Sequence, residues 1–143
     1  MTQLNAKDRN LKVLVIDDTA FVRKIVTKSL SELGVANVVE VADAADAVRR
    51  LRIEHFDLIV SDWNLPTMSG FELLSYIRNN DRIKDTPFLM LTGNTDRSSV
   101  MAAFQSGVSD YLIKPFSAEE LEKKLVRLMP KEVKVPPEGT PTA

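Results

Sequence analysis

The 143-residue sequence contains no cysteine and a single histidine, His55. The first absence removes disulfides, thiolate chemistry and soft-metal ligation by sulfur, and leaves the redox compartment open. The second makes a histidine-rich metal site impossible. Glycine is scarce, with five in the chain, and none forms a glycine-rich loop after an apolar run. A nucleotide-cradling P-loop and a dinucleotide fingerprint are therefore excluded. No stretch approaches the length of a membrane span. The opening "MTQLNAKDRN" is polar and lacks a signal peptide's apolar core, so a cytoplasmic location is the default expectation. Neither charge dominates: 19 Lys and Arg stand against 20 Asp and Glu. Net charge gives no reason to expect direct nucleic-acid binding or an anionic membrane as the main partner.

What is present is the composition of one soluble domain, 44% hydrophobic and 27% charged, long enough for a real core. Residues 1–10 read as a flexible lead and 11–129 as the folded domain. From Pro130 the composition shifts, and residues 130–143 hold four of the 7 prolines, as in a tail or linker stump. Between them, short apolar runs alternate with helical patterns. "LKVLVI" (11–16) precedes a helix over 20–33, with Thr19 as its cap, Gly34 as its stop, and Phe21, Val22, Ile25, Val26, Leu30 and Leu33 at helical spacing. "VVEVA" (38–42) precedes a helix over 43–54, and "FDLIVSD" (56–62) one over 70–80, with Ser69 and Glu72 as a capping box. "PFLMLT" (87–92) precedes a weak helix over 98–106, in which Met101, Ala102, Ala103 and Phe104 are expected to pack as ordinary core. "VSDYLI" (108–113) precedes a helix over 117–129, capped by Ser117 with Glu120. Five strand–helix units in strict alternation predict an α/β fold with a parallel sheet covered on both faces.

Sites in such sheets form beyond the carboxyl ends of the strands. The first strand delivers Asp17 and Asp18 there, the third Asp62, the fourth Thr92 and Gly93, and the fifth Lys114 and Pro115. An aspartate before a helix is often only a cap, and a lysine before a proline only a surface turn. Together they mean more. Three gathered carboxylates repel one another, and a divalent cation helped by the Lys114 ammonium would compensate. All-oxygen ligation suits Mg²⁺, which favours one or two carboxylates, waters and phosphate oxygens. Phosphoryl transfer to a carboxylate nucleophile follows, with Asp62 as acceptor, Thr92 as hydroxyl donor, and Gly93 leaving the approach clear.

The segments "VLVIDD", "DLIVSDWNLPTMSG", "LMLTG" and "YLIKPF" resemble, in order and spacing, the receiver domains of two-component response regulators of the chemotaxis single-domain type. The resemblance covers about residues 11–129. It implies a flavodoxin-like (βα)₅ three-layer sandwich of strand order 2-1-3-4-5. It also implies that Asp62 takes a phosphoryl group from a sensor histidine kinase or histidine phosphotransfer protein. Mg²⁺ would be held by Asp18, Asp62 and the Asn64 carbonyl, with Asp17 acting through water. Lys114, joined to Pro115 by a cis bond, and Thr92 would meet the phosphoryl group. Tyr111 would be the aromatic switch. The fourth helix, fifth strand and fifth helix would form the output face for a protein target, and the first helix, with Arg23, Lys24 and Lys28, the kinase-docking face. Asn64 and Asn94 would tune the phosphoryl lifetime, expected to be short to intermediate. Trp63, beside the site, is expected to report Mg²⁺ by fluorescence. His55 is expected at the opposite end of the sheet and is not the phosphodonor.

Three alternatives remain at this stage. A metal-dependent phosphatase with an aspartyl nucleophile would need a carboxylate two residues past Asp62, where Asn64 stands. A flavin module of the same fold would need phosphate-cradling turns, whereas these strand ends are acidic. A receiver cut from a larger regulator would account for the tail.

Overall fold

The computed structural model describes residues 10–93 and 97–130. Five strands, β1 (Lys12–Ile16), β2 (Asn37–Val41), β3 (Leu58–Asp62), β4 (Phe88–Thr92) and β5 (Asp110–Ile113), alternate with five helices. These are α1 (Ala20–Glu32), α2 (Ala44–Ile53), α3 (Gly70–Arg78), α4 (Arg97–Ser106) and α5 (Ala118–Leu128). The strands form one parallel sheet in the order β2-β1-β3-β4-β5, the flavodoxin-like arrangement expected.

The apolar runs are continuous because each strand feeds two cores. Period-two alternation divides them. Val13, Val15, Leu58, Val60, Leu89 and Leu91 face one side, where α1 supplies Val26 and Leu30 and α5 supplies Leu121 and Leu125. Leu14, Ile16, Ile59, Phe88 and Met90 face the other. There α2 supplies Ala47 and Leu51, α3 supplies Leu73, Leu74 and Ile77, and α4 supplies Ala103. Strands β3 and β4 are buried along their whole length, so their carboxyl ends lie in the middle of the sheet.

Caps fix where the helices start. Ser69 and Ser117 each accept the backbone N–H three residues on at 3.1 Å, while Glu72 and Glu120 return the bond. Asp43 caps α2 by accepting the Asp46 N–H at 2.8 Å. Helices α1 and α4 run out into Gly34 and Gly107, whose φ values of 96° and 110° suit only glycine.

The structure corrects three expectations. Thr19 occupies the N-cap position of α1 but its side chain makes no capping bond. Phe21 falls in the first turn of α1, above the sheet, and is 73% exposed. Met101 and Phe104 are 55% and 43% exposed, leaving Ala103 as the residue of α4's apolar quartet that enters the core. Helical period placed them together, but Ala103 alone of the four enters the core, while Phe104 stops at the Tyr111 ring on the edge strand.

Candidate phosphoacceptor site at the carboxyl edge of the sheet

The ladder register brings the strand ends level. Ile16 of β1 pairs with Ser61 of β3, Asp62 with Leu91 of β4, and Thr92 with Ile113 of β5. The next residues of β1 and β5 are Asp17 and Lys114. Asp17 is fully buried, Thr92 nearly so, Asp62 is 7% exposed, and Asp18 lies at the surface.

Asp17, Asp18 and Asp62 bring one carboxylate oxygen each within 4.8 Å of one another. The Lys114 ammonium lies 2.9 Å from Asp17 Oδ2 and 3.5 Å from Asp62 Oδ2. The other Asp17 oxygen accepts the Thr19 N–H at 2.8 Å. This local turn explains why Thr19 does not cap: the chain entering α1 is organised by the Asp17 carboxylate instead. Lys114 is itself anchored, its N–H donating to the Thr92 carbonyl at 2.8 Å, and its bond to Pro115 is cis.

Burial pushes the Asp62 carboxyl above the ordinary carboxylate range. The Lys114 charge and the Asn64 N–H, which donates to Asp62 Oδ1 at 3.3 Å, pull it down, and the Asp17 charge pushes it up again. Three gathered carboxylates, two of them against one ammonium, leave two negative charges in surplus, which is what a divalent cation would neutralise.

The donor set fits Mg²⁺. Three clustered carboxylate oxygens offer the all-oxygen ligation which that ion favours. Both Asp17 oxygens are engaged closely, by Lys114 at 2.9 Å and by the Thr19 amide at 2.8 Å, whereas those of Asp62 meet the Asn64 amide and Lys114 at 3.3 Å and 3.5 Å.

Two residues near the site carry more than sequence reasoning assigned them. Arg23, one turn into α1, donates to the Asp17 carbonyl oxygen at 2.6 Å and to Glu40 of β2 at 3.3 Å. Burial works against the Glu40 charge, yet hydrogen bonds from Thr27, Lys24 and Arg23 hold its carboxyl below the ordinary range. The first helix therefore spends two of its cations locally. Gly70, the first residue of α3, lies against Trp63: a Cβ there would come within 2.7 Å of the indole and 2.8 Å of the Trp63 Cα. At Gly93, by contrast, a Cβ would meet nothing within 4 Å. Protein packing does not require glycine at that position.

Tyr111, half-buried on β5, meets Phe104 of α4 edge-to-face, with centroids 5.8 Å apart. The Lys124 ammonium of α5 stands 5.3 Å over the Tyr111 ring and 2.9 Å from the buried Asp110 carboxylate. One aromatic thus ties together α4, β5 and α5. Asn94 lies outside the described residues. His55 is exposed, 3.3 Å from Asp57 and at the amino end of β3, as expected. Among the described residues, no helix is long and apolar enough to cross a membrane.

The fold and this acidic edge define a class, and comparison with known proteins gives the same one. Residues 13–126 match the model of the response regulator receiver domain. The chain belongs to that family, whose members take a phosphoryl group from a histidine kinase onto an aspartate. It is 39% identical over 121 residues to chemotaxis protein CheY-3 of Vibrio cholerae, covering 85% of this chain and 93% of that protein. Over 118 residues it is 37% identical to chemotaxis protein CheY of Pseudomonas aeruginosa, covering 82% and 95%. Among solved structures, CheY4 of V. cholerae superimposes with a TM-score of 0.78 at 36% identity, covering 83% of this chain and 98% of that one. The receiver domain of the sensor histidine kinase PA1611 from P. aeruginosa does so with a TM-score of 0.74 at 30% identity, covering 83% and 97%, and carries a magnesium ion in its active-site cleft.

Proposed function

We propose that Asp62 is the phosphoacceptor of this receiver. The observation that carries this reading is the gathering of Asp17, Asp18 and Asp62 at the sheet's carboxyl edge, with Lys114 against Asp17 and Asp62. The donor is a phosphohistidine on a sensor kinase or phosphotransfer protein, or a small acyl phosphate. An Asp62 oxygen attacks phosphorus, the bond from phosphorus to the donor breaks, and the donor leaves with that electron pair. Bound Mg²⁺, held by Asp18, Asp62 and the Asn64 carbonyl with Asp17 through water, would supply positive charge to the phosphoryl oxygens. Lys114 supplies a second positive charge, and the Thr92 hydroxyl donates a hydrogen bond as the phosphoryl group arrives.

The readout runs through Thr92 and Tyr111. Drawing Thr92 toward the phosphoryl group would bias Tyr111 between two settings and so remodel the face made by α4, β5 and α5. That face already exposes Met101 and Phe104 and holds an open hollow beside Tyr111 and Lys124. A protein target is its expected partner, and the likeness to chemotaxis regulators supports a chemotaxis-like, cytoplasmic role. The receiver spans 11–129. Water then removes the phosphoryl group slowly, with Asn64 and Asn94 setting the lifetime; a half-life of many hours would refute the short-to-intermediate value proposed.

The test is intact mass after incubation with acetyl phosphate and Mg²⁺. The wild-type protein gains one phosphoryl group. An adduct that persists unchanged in Asp62→Ala would sink the assignment.

A further inference from the structure

We propose that Gly70 is a positioning residue for phosphoryl transfer, acting on Asp62 through the Trp63–Asn64 peptide. The proposal rests on Asp62 being the acceptor. That one peptide is pinned at both ends. Its carbonyl, on Trp63, accepts the Gly70 N–H at 2.8 Å. Its N–H, on Asn64, donates to Asp62 Oδ1 at 3.3 Å. Trp63 is also held to the sheet by its own N–H, which donates to the Leu91 carbonyl at 2.9 Å.

The close approach is possible only without a side chain. An added Cβ at Gly70 would stand 2.7 Å from Trp63 Cε3, 2.8 Å from its Cα and 2.9 Å from its carbonyl oxygen. Two of those atoms are backbone, so rotating the indole cannot relieve the clash. Helix α3 is a poor candidate to yield. Its start is locked by the Ser69–Glu72 capping box, and Leu73, Leu74 and Ile77 are buried behind it. The displacement therefore falls on Trp63 and Asn64. Tilting their peptide draws the Asn64 N–H off Asp62 and moves the Asn64 carbonyl, the backbone group proposed to face Mg²⁺. Gly70 itself touches neither the reacting atoms nor the ion.

The wild-type protein provides the first test. Gly70 is the first residue of α3, where a backbone N–H has no partner within the helix. Bonded to Trp63, its amide is expected to exchange with deuterium at least about tenfold more slowly than an unprotected amide. Exchange at the unprotected rate would overturn the proposal. The second test compares Gly70→Ala with Gly107→Ala. Gly107, at φ 110° and packed on Arg78 away from the site, serves as a control for general strain. Both variants should lose stability to denaturant. Only Gly70→Ala should bind Mg²⁺ about tenfold more weakly by Trp63 fluorescence and form the acetyl-phosphate adduct correspondingly more slowly. Equal Mg²⁺ affinity and adduct rate in the two variants would overturn the proposal. Should Gly70→Ala fail to fold, the exchange measurement decides. A wild-type protein that takes no phosphoryl group would refute the acceptor reading instead, while amide exchange and Mg²⁺ affinity still judge Gly70.

Discussion

The Lys114 ammonium sits 2.9 Å from the carboxylate of Asp17, a residue with no exposed surface. The two are separated by 97 positions in the chain. Neither charge is tenable there alone: a buried carboxylate without a partner is costly, and so is a partly buried ammonium.

Removing that partner should be expensive. Lys114→Ala leaves Asp17 buried beside a second carboxylate, and breaking a buried pair in this way costs about 3–5 kcal/mol. Urea denaturation in metal-free buffer is expected to show a loss of that order. Mg²⁺ should restore more stability to the variant than to the wild type, because it replaces the missing positive charge. A variant as stable as the wild type without metal would contradict this.

Asp62 makes stability depend on pH in a particular direction. Its pKa is raised, chiefly by burial, so the folded state holds this proton more tightly than the unfolded chain. In metal-free protein its contribution is most favourable below the ordinary carboxylate range. It declines as pH rises toward the raised value, and the penalty is complete above it. Asp62→Asn is therefore expected to be more stable than the wild type at neutral pH, with the difference shrinking on acidification. Denaturation midpoints across that window measure it; a gap that widens as pH falls would refute the reading.

Asp18 is the surface member of the acidic cluster. Asp18→Asn should fold normally, since an exposed carboxylate has little to lose. It should weaken Mg²⁺ binding by about tenfold or more, followed through Trp63, which lies between Asp62 and Asn64. Unchanged affinity would remove Asp18 from the ligand set.

The cap of α5 tests separability. Ser117→Ala should cost about 1 kcal/mol of stability through loss of the reciprocal bonds with Glu120. Mg²⁺ affinity should not change. A joint loss would mean that α5 is coupled to the metal site before any phosphoryl group arrives.

Much of this was legible before the fold was known. The alternation of apolar runs with helical periods carried the sheet, and the residues ending those runs carried Asp17, Asp62, Thr92 and Lys114. The Ser69 and Ser117 caps were legible because their chemistry is local. Thr19 fails as a cap because Asp17 organises that turn, while the misses in burial share another cause. Phe21, Met101 and Phe104 sit at helical spacing with core residues, but which side a helix turns to the sheet is decided by its ends and neighbours. The Arg23 bridge from Glu40 to the Asp17 carbonyl, and the approach of Gly70 to Trp63, need distances that no spacing supplies. Only the Trp63 backbone and indole packed against Gly70 show why no side chain fits there.

The central claim is that Asp62 carries the phosphoryl group, and site mapping tests it most directly. The protein would be treated with acetyl phosphate and Mg²⁺, then reduced with borohydride, which converts an aspartyl phosphate to homoserine. Peptide mass spectrometry should find homoserine at position 62 and nowhere else. Homoserine at position 17 or 18, or none in a protein that has gained phosphoryl mass, would contradict the account.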